Sequence, residues 1–561
     1  MSLPILAAAT AGNVILVRRL LKKGGDPNEA DSGNGGATPL IIASVNGFVE
    51  VVEVLVKTGG ADVHLPDALG STPLFIASEF GNAATVKWLI EEGGARVNQA
   101  NDRGCTALIM SSQLGHREVV ELLLAGGAAV DQADNDGRTA LFMSCQAGQQ
   151  GIATLLLARG AKVDEAMNDG DTPLVAGVNR GQVEAVKVLL ANKADVNRTN
   201  DDDRAPLIFS CMRGNPVMAQ LLLANGANAD QANFDDGSPL LMSSQEGHSE
   251  VVKVLLANGA KVDLSRYDDV TPLIMSSTNG HRDVAKLLLA NGANVNHAAI
   301  RGRTSLLMSC QNGHLEVATL LLARGAKMDQ ADNDGKTPLC MSSSCGNQEV
   351  VKLLLAKGAE VNQAMHGGDT PLIMSSQNGH HGVVKVLLAN GANVNQANNN
   401  GMTPLLMSSA RGHRKAVKLL LAKGAKANQT MKYGGTPLII SSEKGHHEIV
   451  KLLLAHGAKA DQADDRGSTP LSQSRQNGHG EVVRLLEGAL TDHTEAEEGE
   501  KEGTPKKAAR VCHKCGKEAE KMKKCSACKL ARYCSQECQL GDWKEHKKSC
   551  KKFAARKEVG S

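Results

Sequence analysis

Over most of the chain, apolar residues fall in short clusters that recur, not in long runs. Between Thr106 and Arg138, Ala107, Leu108, Ile109 and Met110 make one cluster. Val119, Val120, Leu122, Leu123 and Leu124 make a second, at the spacing of a helix with a single apolar face. Gly115 separates the two and Gly127 closes the second, each where a helix can stop on a left-handed residue. Thr106 precedes the first cluster, where its hydroxyl can cap the orphan amides of a first turn. Pro follows this Thr position in most units, as at Pro338, and its missing N–H costs nothing in that turn. Asp131 to Gly137 have the chemistry of a tight turn before the next Thr. The pattern predicts two helices and one turn-rich loop per unit.

The Thr-Pro-Leu signature or a variant begins at 38, 72, 106, 139, 172, 205, 238, 271, 304, 337, 370, 403, 436 and 469, a step of 34 twice and 33 thereafter. Leu3-Pro4-Ile5 is a degenerate start before the first, with Asp31 to Gly36 supplying extra length. Gly stands nine residues after every Thr position, from Gly47 to Gly478. The Gly that closes the second helix is replaced at Lys193. This signature and period resemble the ankyrin repeat, a β-turn followed by two antiparallel helices. The resemblance implies an all-α solenoid of about 14 to 15 repeats over residues 1–488, in which each unit is stabilised by stacking on its neighbours.

Several features depart from that family's pattern. The position after Thr-Pro-Leu is apolar (Ile274, Leu307, Ile373), and the small pair that follows is often Ser-Ser, as Ser276-Ser277. These serines read as small buried residues bonded to the carbonyl four back; no base recurs beside them to make a nucleophile. Met110, Met143, Met242, Met275, Met308, Met341, Met374 and Met407 read as filling between repeats. The partner surface of other ankyrin proteins corresponds here to polar residues, Gln245-Glu246, Gln311-Asn312, Gln377-Asn378 and Gln476-Asn477, with Phe80 and Trp88 as the main aromatic exceptions.

Other motifs fail on their own terms. His116, His248, His281, His314, His380, His413, His446 and His479 follow the invariant Gly, and their spacing is the repeat's own, so a structural turn role is preferred to a metal ladder. Gly335-Lys336-Thr337 lacks the leading Gly of a phosphate loop, Gln330 standing in its place. Asp134 to Gly137 lack calcium ligands, with Gln132 and Met143 at the first and last ligand positions. Asn296 and Asn395 resemble loop asparagines that are hydroxylated in some ankyrin proteins, which would make this chain a substrate.

Beyond 488 the pattern stops. Residues 489–510 turn to Glu, Lys, Gly, Thr and Pro, the composition of a flexible charged linker. Then Cys512, Cys515, Cys525, Cys528, Cys534, Cys538, His546 and Cys550 fall in four close pairs, enough for two tetrahedral zinc ions with no open position, so both sites are structural. Arg532 to Ser535, Cys538-Gln539, Asp542-Trp543, His546 and Cys550 closely resemble the MYND-type zinc finger over residues 511–550, leaving 551–561 as a basic tail. The resemblance implies a cross-brace. Cys512, Cys515, Cys534 and Cys538 would share one zinc, and Cys525, Cys528, His546 and Cys550 the other. It also implies binding of proline-rich peptides through Ser526, Gln539 and Trp543, the last doubling as core mass in so small a module.

Composition narrows the function. Net charge is +2 in 561 residues, aromatics are 2% and Gly numbers 58, which fits small turn-punctuated units better than enzyme domains. Seven of the thirteen Cys sit at metal spacing near the C-terminus, so a reducing compartment is expected, cytoplasmic, nuclear or both. The apolar start lacks the basic flank of a signal peptide, and no uninterrupted run suits a membrane span. Residues 511–561 hold 14 Lys/Arg against 6 Asp/Glu, and Lys506-Lys507 and the Lys547 to Lys557 cluster are weak nuclear-import signals. Nucleic-acid binding is disfavoured, because Tyr533, Trp543 and Phe553 are few for base stacking. The reading is a non-enzymatic adaptor with no small-molecule substrate, the array holding one partner and the finger a proline-rich segment of another. The alternative is a transcription or chromatin regulator whose basic zinc module contacts nucleic acid or corepressors.

Overall fold

The computed structural model describes residues 4–235 and 237–498, and within the C-terminal segment the short strands Lys523–Lys524 and Arg532–Tyr533. Backbone contacts divide the chain into two units, Met1–Gln473 and Ser474–Ser561. The first is a solenoid of helix pairs. Its N-terminal cap is a genuine pair, Pro4–Thr10 and Val14–Lys22, and the extra length that follows forms a short turn in which Asp31 Oδ1 accepts from the Gly33 amide at 3.0 Å.

The unit beginning at Thr271 shows why each pair forms. Thr271 Oγ1 accepts from the Ile274 amide at 3.4 Å, Pro272 opens the helix Pro272–Asn279, and Gly280 ends it at φ 81°. After a tight reversal the helix Arg282–Ala290 runs back. Leu273, Ile274, Val284, Ala285 and Leu288 are buried between the two helices and their neighbours. Each such leucine contributes about 1.5–3 kcal/mol by leaving water. First helices pack against first helices of the adjoining units, and second helices against second.

Across many of the joints runs a hydrogen bond that the sequence did not suggest. His281 has no capping bond at the start of its own helix; its Nε2–H donates to Gln245 O of the preceding unit at 2.8 Å. His314 reaches Thr278 O at 2.9 Å and His413 reaches Gln377 O at 2.8 Å. Because a carbonyl only accepts, the proton must be on Nε2. At two joints an Asn amide does the same work, Asn82 donating to Ser44 O at 2.8 Å and Asn347 to Gln311 O at 2.7 Å, whereas Asn215 caps its own helix. The ring lies flat over the preceding glycine: a Cβ on Gly247 would sit 2.5 Å from His281 Nδ1, so that glycine is required both by its φ of 81° and by this approach.

Three expectations are corrected, and one irregularity is explained. The bond four residues back is made by Ser78 to Leu74 O and by Ser111 to Ala107 O, each at 2.8 Å, but not in the unit beginning at 271: Ser276 Oγ donates to Leu273 O, three back, at 3.1 Å, and Ser277 Oγ is buried without a partner, as are Ser44, Ser112, Ser244, Ser343, Ser376, Ser409 and Ser442. Met143 is buried as filling, but Met110, Met242, Met275, Met308, Met341, Met374 and Met407 are half-buried. Their position lies across the helix from the buried Leu, Ile and Ser positions of the same turn pattern. Lys193 keeps the left-handed conformation of the glycine it replaces, at φ 62°. Finally, the helix Gly480–Glu498 runs into the stretch read as a linker from 489; Glu and Ala propagate a helix without any apolar stripe.

The entry into the first helix of the unit beginning at 205 lacks local support. Ala205 gives no side-chain cap, and Lys193 precedes it at a strained position. Ala205→Thr and Lys193→Gly are each expected to raise the free energy of unfolding by about 1 kcal/mol, read from urea denaturation followed by circular dichroism. The serine pair separates under the same measurement. Ser277→Ala should stabilise by about 1 kcal/mol by removing an unpaired hydroxyl, and Ser276→Ala should destabilise by a similar amount.

Candidate functional site

The chemistry-bearing residues of the array are mostly committed to its own architecture. Asp134 Oδ1 accepts from the amides of Asp136 at 3.1 Å and Arg138 at 2.9 Å, and Oδ2 receives Arg138 Nε at 2.9 Å, so this loop is a closed turn. Asn296 bridges to the next unit twice, Oδ1 accepting from the Lys327 amide at 2.8 Å and Nδ2 donating to Gly325 O at 3.3 Å; Asn395 does the same with Lys426 and Gly424. The polar residues at the ends of the first helices are also engaged, Asn312 donating to Thr278 O at 2.7 Å and Asn378 to Ser344 O at 2.8 Å.

No thiol of the array is activated. Burial pushes Cys145, Cys211, Cys310 and Cys340 up to about 12 and Cys105 to about 11, and it raises Cys345 as well. A nucleophilic cysteine needs the opposite shift. A surface depression lined by Gly247, Ser249, His281, Arg282, Asp283, Val284 and Glu316 is open and polar; His281 is held by the joint described above. No cluster of three or more His, Cys, Asp or Glu is placed to hold a metal ion among the described residues, and no described helix is long and apolar enough to cross a membrane.

The exposed apolar groups are the surface left for recognition. Phe80, named from sequence, is 54% exposed; Trp88 is half-buried, with Lys57 Nζ 5.7 Å from its ring centroid. Sequence reasoning missed the turn tips. Phe234, Tyr267, Ile300 and Tyr433 project there, exposed to between 54% and 77%. Aligning the loops on the Thr position, and not only the helices, would have found them.

The eight expected zinc ligands, Cys512, Cys515, Cys525, Cys528, Cys534, Cys538, His546 and Cys550, and the expected peptide contacts Ser526, Gln539 and Trp543 lie outside the described residues. The two short strands of this segment pair antiparallel, Lys523 opposite Tyr533 and Lys524 opposite Arg532. Cys525 and Cys534 are the residues next in sequence after them. Seven thiols and one imidazole in four pairs are a donor set suited to zinc.

Of the six array thiols, Cys345 is the exposed one. Site-resolved alkylation of the native chain is expected to modify Cys345 first, faster as pH rises because the thiolate reacts and burial holds this thiol above its usual 9.0. Cys145, Cys211 and Cys310 should react only after unfolding.

Comparison with known proteins agrees with this division. The sequence profile for ankyrin repeats in three copies matches in overlapping blocks from residue 2 to residue 494, and that for the MYND finger matches residues 512–550. Similar relatives include human histone-lysine N-methyltransferase SMYD3, 46% identical over 41 residues, 7% of this chain and 10% of that protein. From Caenorhabditis elegans come SET domain-containing protein 14, 48% identical over 50 residues, and Dauer abnormal formation protein 25, 54% over 48, each match covering 9% of this chain and 12% of the relative. The chain thus spans about a tenth of the length of these curated relatives. The methyltransferase matches are confined to the MYND region and show no enzymatic domain here. A MYND-type finger implies zinc binding, and both module types mediate protein–protein interaction. The chain belongs to the ankyrin-repeat family and carries a MYND-type zinc finger after its repeats.

Proposed function

We propose that this protein is a non-enzymatic adaptor, acting in the cytoplasm, the nucleus or both. The array of residues 1–488 binds one partner, and the finger of residues 511–550 binds a proline-rich segment of another. The observation that carries the reading is the pairing of a long stacked array, its polar chemistry committed to the stack, with a MYND match that contains all eight ligand residues. Cys512, Cys515, Cys534 and Cys538 would hold one zinc and Cys525, Cys528, His546 and Cys550 a second. Zinc bound there supplies folding free energy, roughly 10 kcal/mol or more per ion, to a segment too short to bury a core. Ser526, Gln539 and Trp543 would then meet the peptide, Trp543 offering an aromatic face to proline rings. Joining the two arms in one chain raises the local concentration of one partner near the other.

The experiment is recovery of partners on the zinc-loaded chain, compared with Trp543→Ala and with residues 1–490. Proline-rich proteins should be lost, by about tenfold or more, from both altered baits while a second set remains. Stripping zinc with a chelator should release about two ions per chain and abolish the first set, leaving the helical circular dichroism of the array in place. An unchanged partner list would remove the finger from the recruiting role. Binding of duplex DNA that collapses with salt would favour the regulator reading, for which the excess of Lys and Arg in residues 511–561 is the support.

A further inference from the structure

In most units the residue four before Thr is polar, and several of these side chains bond to the neighbouring tip. The Asn135 amide donates to Asp102 O at 3.1 Å, Asn168 to Asn135 O at 2.9 Å and Asn399 to His366 O at 3.1 Å. Such a side chain lies over the left-handed glycine of the tip before it; a Cβ on Gly137 would meet Asn168 Oδ1 at 2.6 Å. Three consecutive joints depart from this arrangement in both places at once. In sequence, Asp203, Asp236 and Asp269 take the place of that glycine in three consecutive units, and Phe234, Tyr267 and Ile300 take the place of the polar residue in the unit after each.

Both departures work against the stack. Asp203 and Asp269 retain the left-handed backbone, at φ 55° and 58°, which costs an L-residue about 1 kcal/mol relative to glycine. Phe234, Tyr267 and Ile300 cannot make the side-chain bond, and they stand in solvent at 77%, 70% and 54% exposure. At the first and last of these joints the backbone bond is kept, Phe234 N–H donating to Asp202 O at 3.3 Å and Ile300 N–H to Asp268 O at 3.0 Å. These two tips are therefore held in register without the side-chain bond that the other units use.

We propose that this strip is the docking surface for an extended, basic segment of a partner protein, with apolar side chains at every third residue and lysine or arginine between them. The proposal rests on the reading of the array as a protein-binding arm and names what that arm recognises. Charge selects the occupant. Asp202 is matched by Arg204 at 3.2 Å, and Asp268 by Arg266, whose guanidinium also lies 5.6 Å from the Tyr267 centroid. Asp201, Asp203, Asp235 and Asp269 remain as exposed carboxylates beside the apolar groups. Past Ile300 the sign reverses at Arg301 and Arg303, which fixes where a basic segment must end. Spacing selects the repeat of the segment: stacked helices lie about 10 Å apart, which an extended or polyproline chain covers in about three residues.

The test titrates the full zinc-loaded chain into a labelled peptide of repeated Leu-Lys-Lys triplets and follows anisotropy. Saturable binding is expected that a Leu-Glu-Glu peptide lacks, and that Phe234→Ser with Tyr267→Ser weakens about tenfold or more, whereas Phe80→Ser does not. Asp203→Gly with Phe234→Asn restores the pair found at the other tips; it should raise the thermal midpoint and still weaken the peptide, which separates recognition from folding. Absence of binding, or binding indifferent to these substitutions, overturns the proposal. Self-association that the two serines abolish, with the peptide ignored, assigns the strip to a second copy of the chain and overturns it equally. Binding of a proline-rich peptide, and its loss in Trp543→Ala, is read in the same preparations. If that holds while the strip fails, the adaptor reading stands without this surface.

Discussion

The array depends on one contact, made at joint after joint between a glycine that ends a first helix and the residue beside the corresponding glycine of the next unit. At Gly247 the backbone is left-handed and the surface above it is bare, so the His281 ring can lie on it and donate to Gln245 O at 2.8 Å. The bond closes a carbonyl that the end of a helix leaves open, and it does so from the neighbouring unit. A unit of this size has too little core of its own, so the same contact that satisfies the helix end also fixes how the next pair of helices is laid down. The buried leucines supply most of the free energy; the joint determines the geometry in which they can supply it.

The inventory of the described residues is consequently conservative. Asn296, Asn312, Asn378 and Asp134 look like available chemistry when read one at a time, yet each bonds to a neighbouring unit or closes its own turn. The thiols are held neutral by burial. The turn tips in addition leave exposed apolar and acidic side chains, Phe234, Tyr267, Ile300 and Asp203 among them, which suits recognition of another chain.

Much of this was readable in the sequence because the repeat reports each constraint many times. Thr271 as a cap, Gly280 as a stop and Lys193 as an irregularity all follow from backbone chemistry, which local residues carry by themselves. The role of His281 was not readable, since its acceptor lies in the preceding unit and nothing local distinguishes a ring that caps its own helix from one that reaches across. The serine pair failed for a related reason: whether Ser276 or Ser277 finds a carbonyl depends on helix geometry within a turn, and composition treats the two alike. The end at Glu498 was missed because amphipathic patterning signals packing, whereas Glu and Ala propagate a helix by their own backbone preference. The finger's expected ligands rest on spacing and on the resemblance to the MYND family, and they lie outside the described residues.

The joint has a further property that bears on how such a chain changes over generations. Its two halves are carried by different units, the glycine by one and the imidazole or amide by the next, and many units carry both. Such copies can therefore follow one another. A deletion or duplication among them that respects the period leaves this contact unbroken, because the new neighbours meet with the same glycine below and the same donor above. Copy number is in this sense a nearly neutral variable for folding, free to be set by the span of whatever the array has to hold.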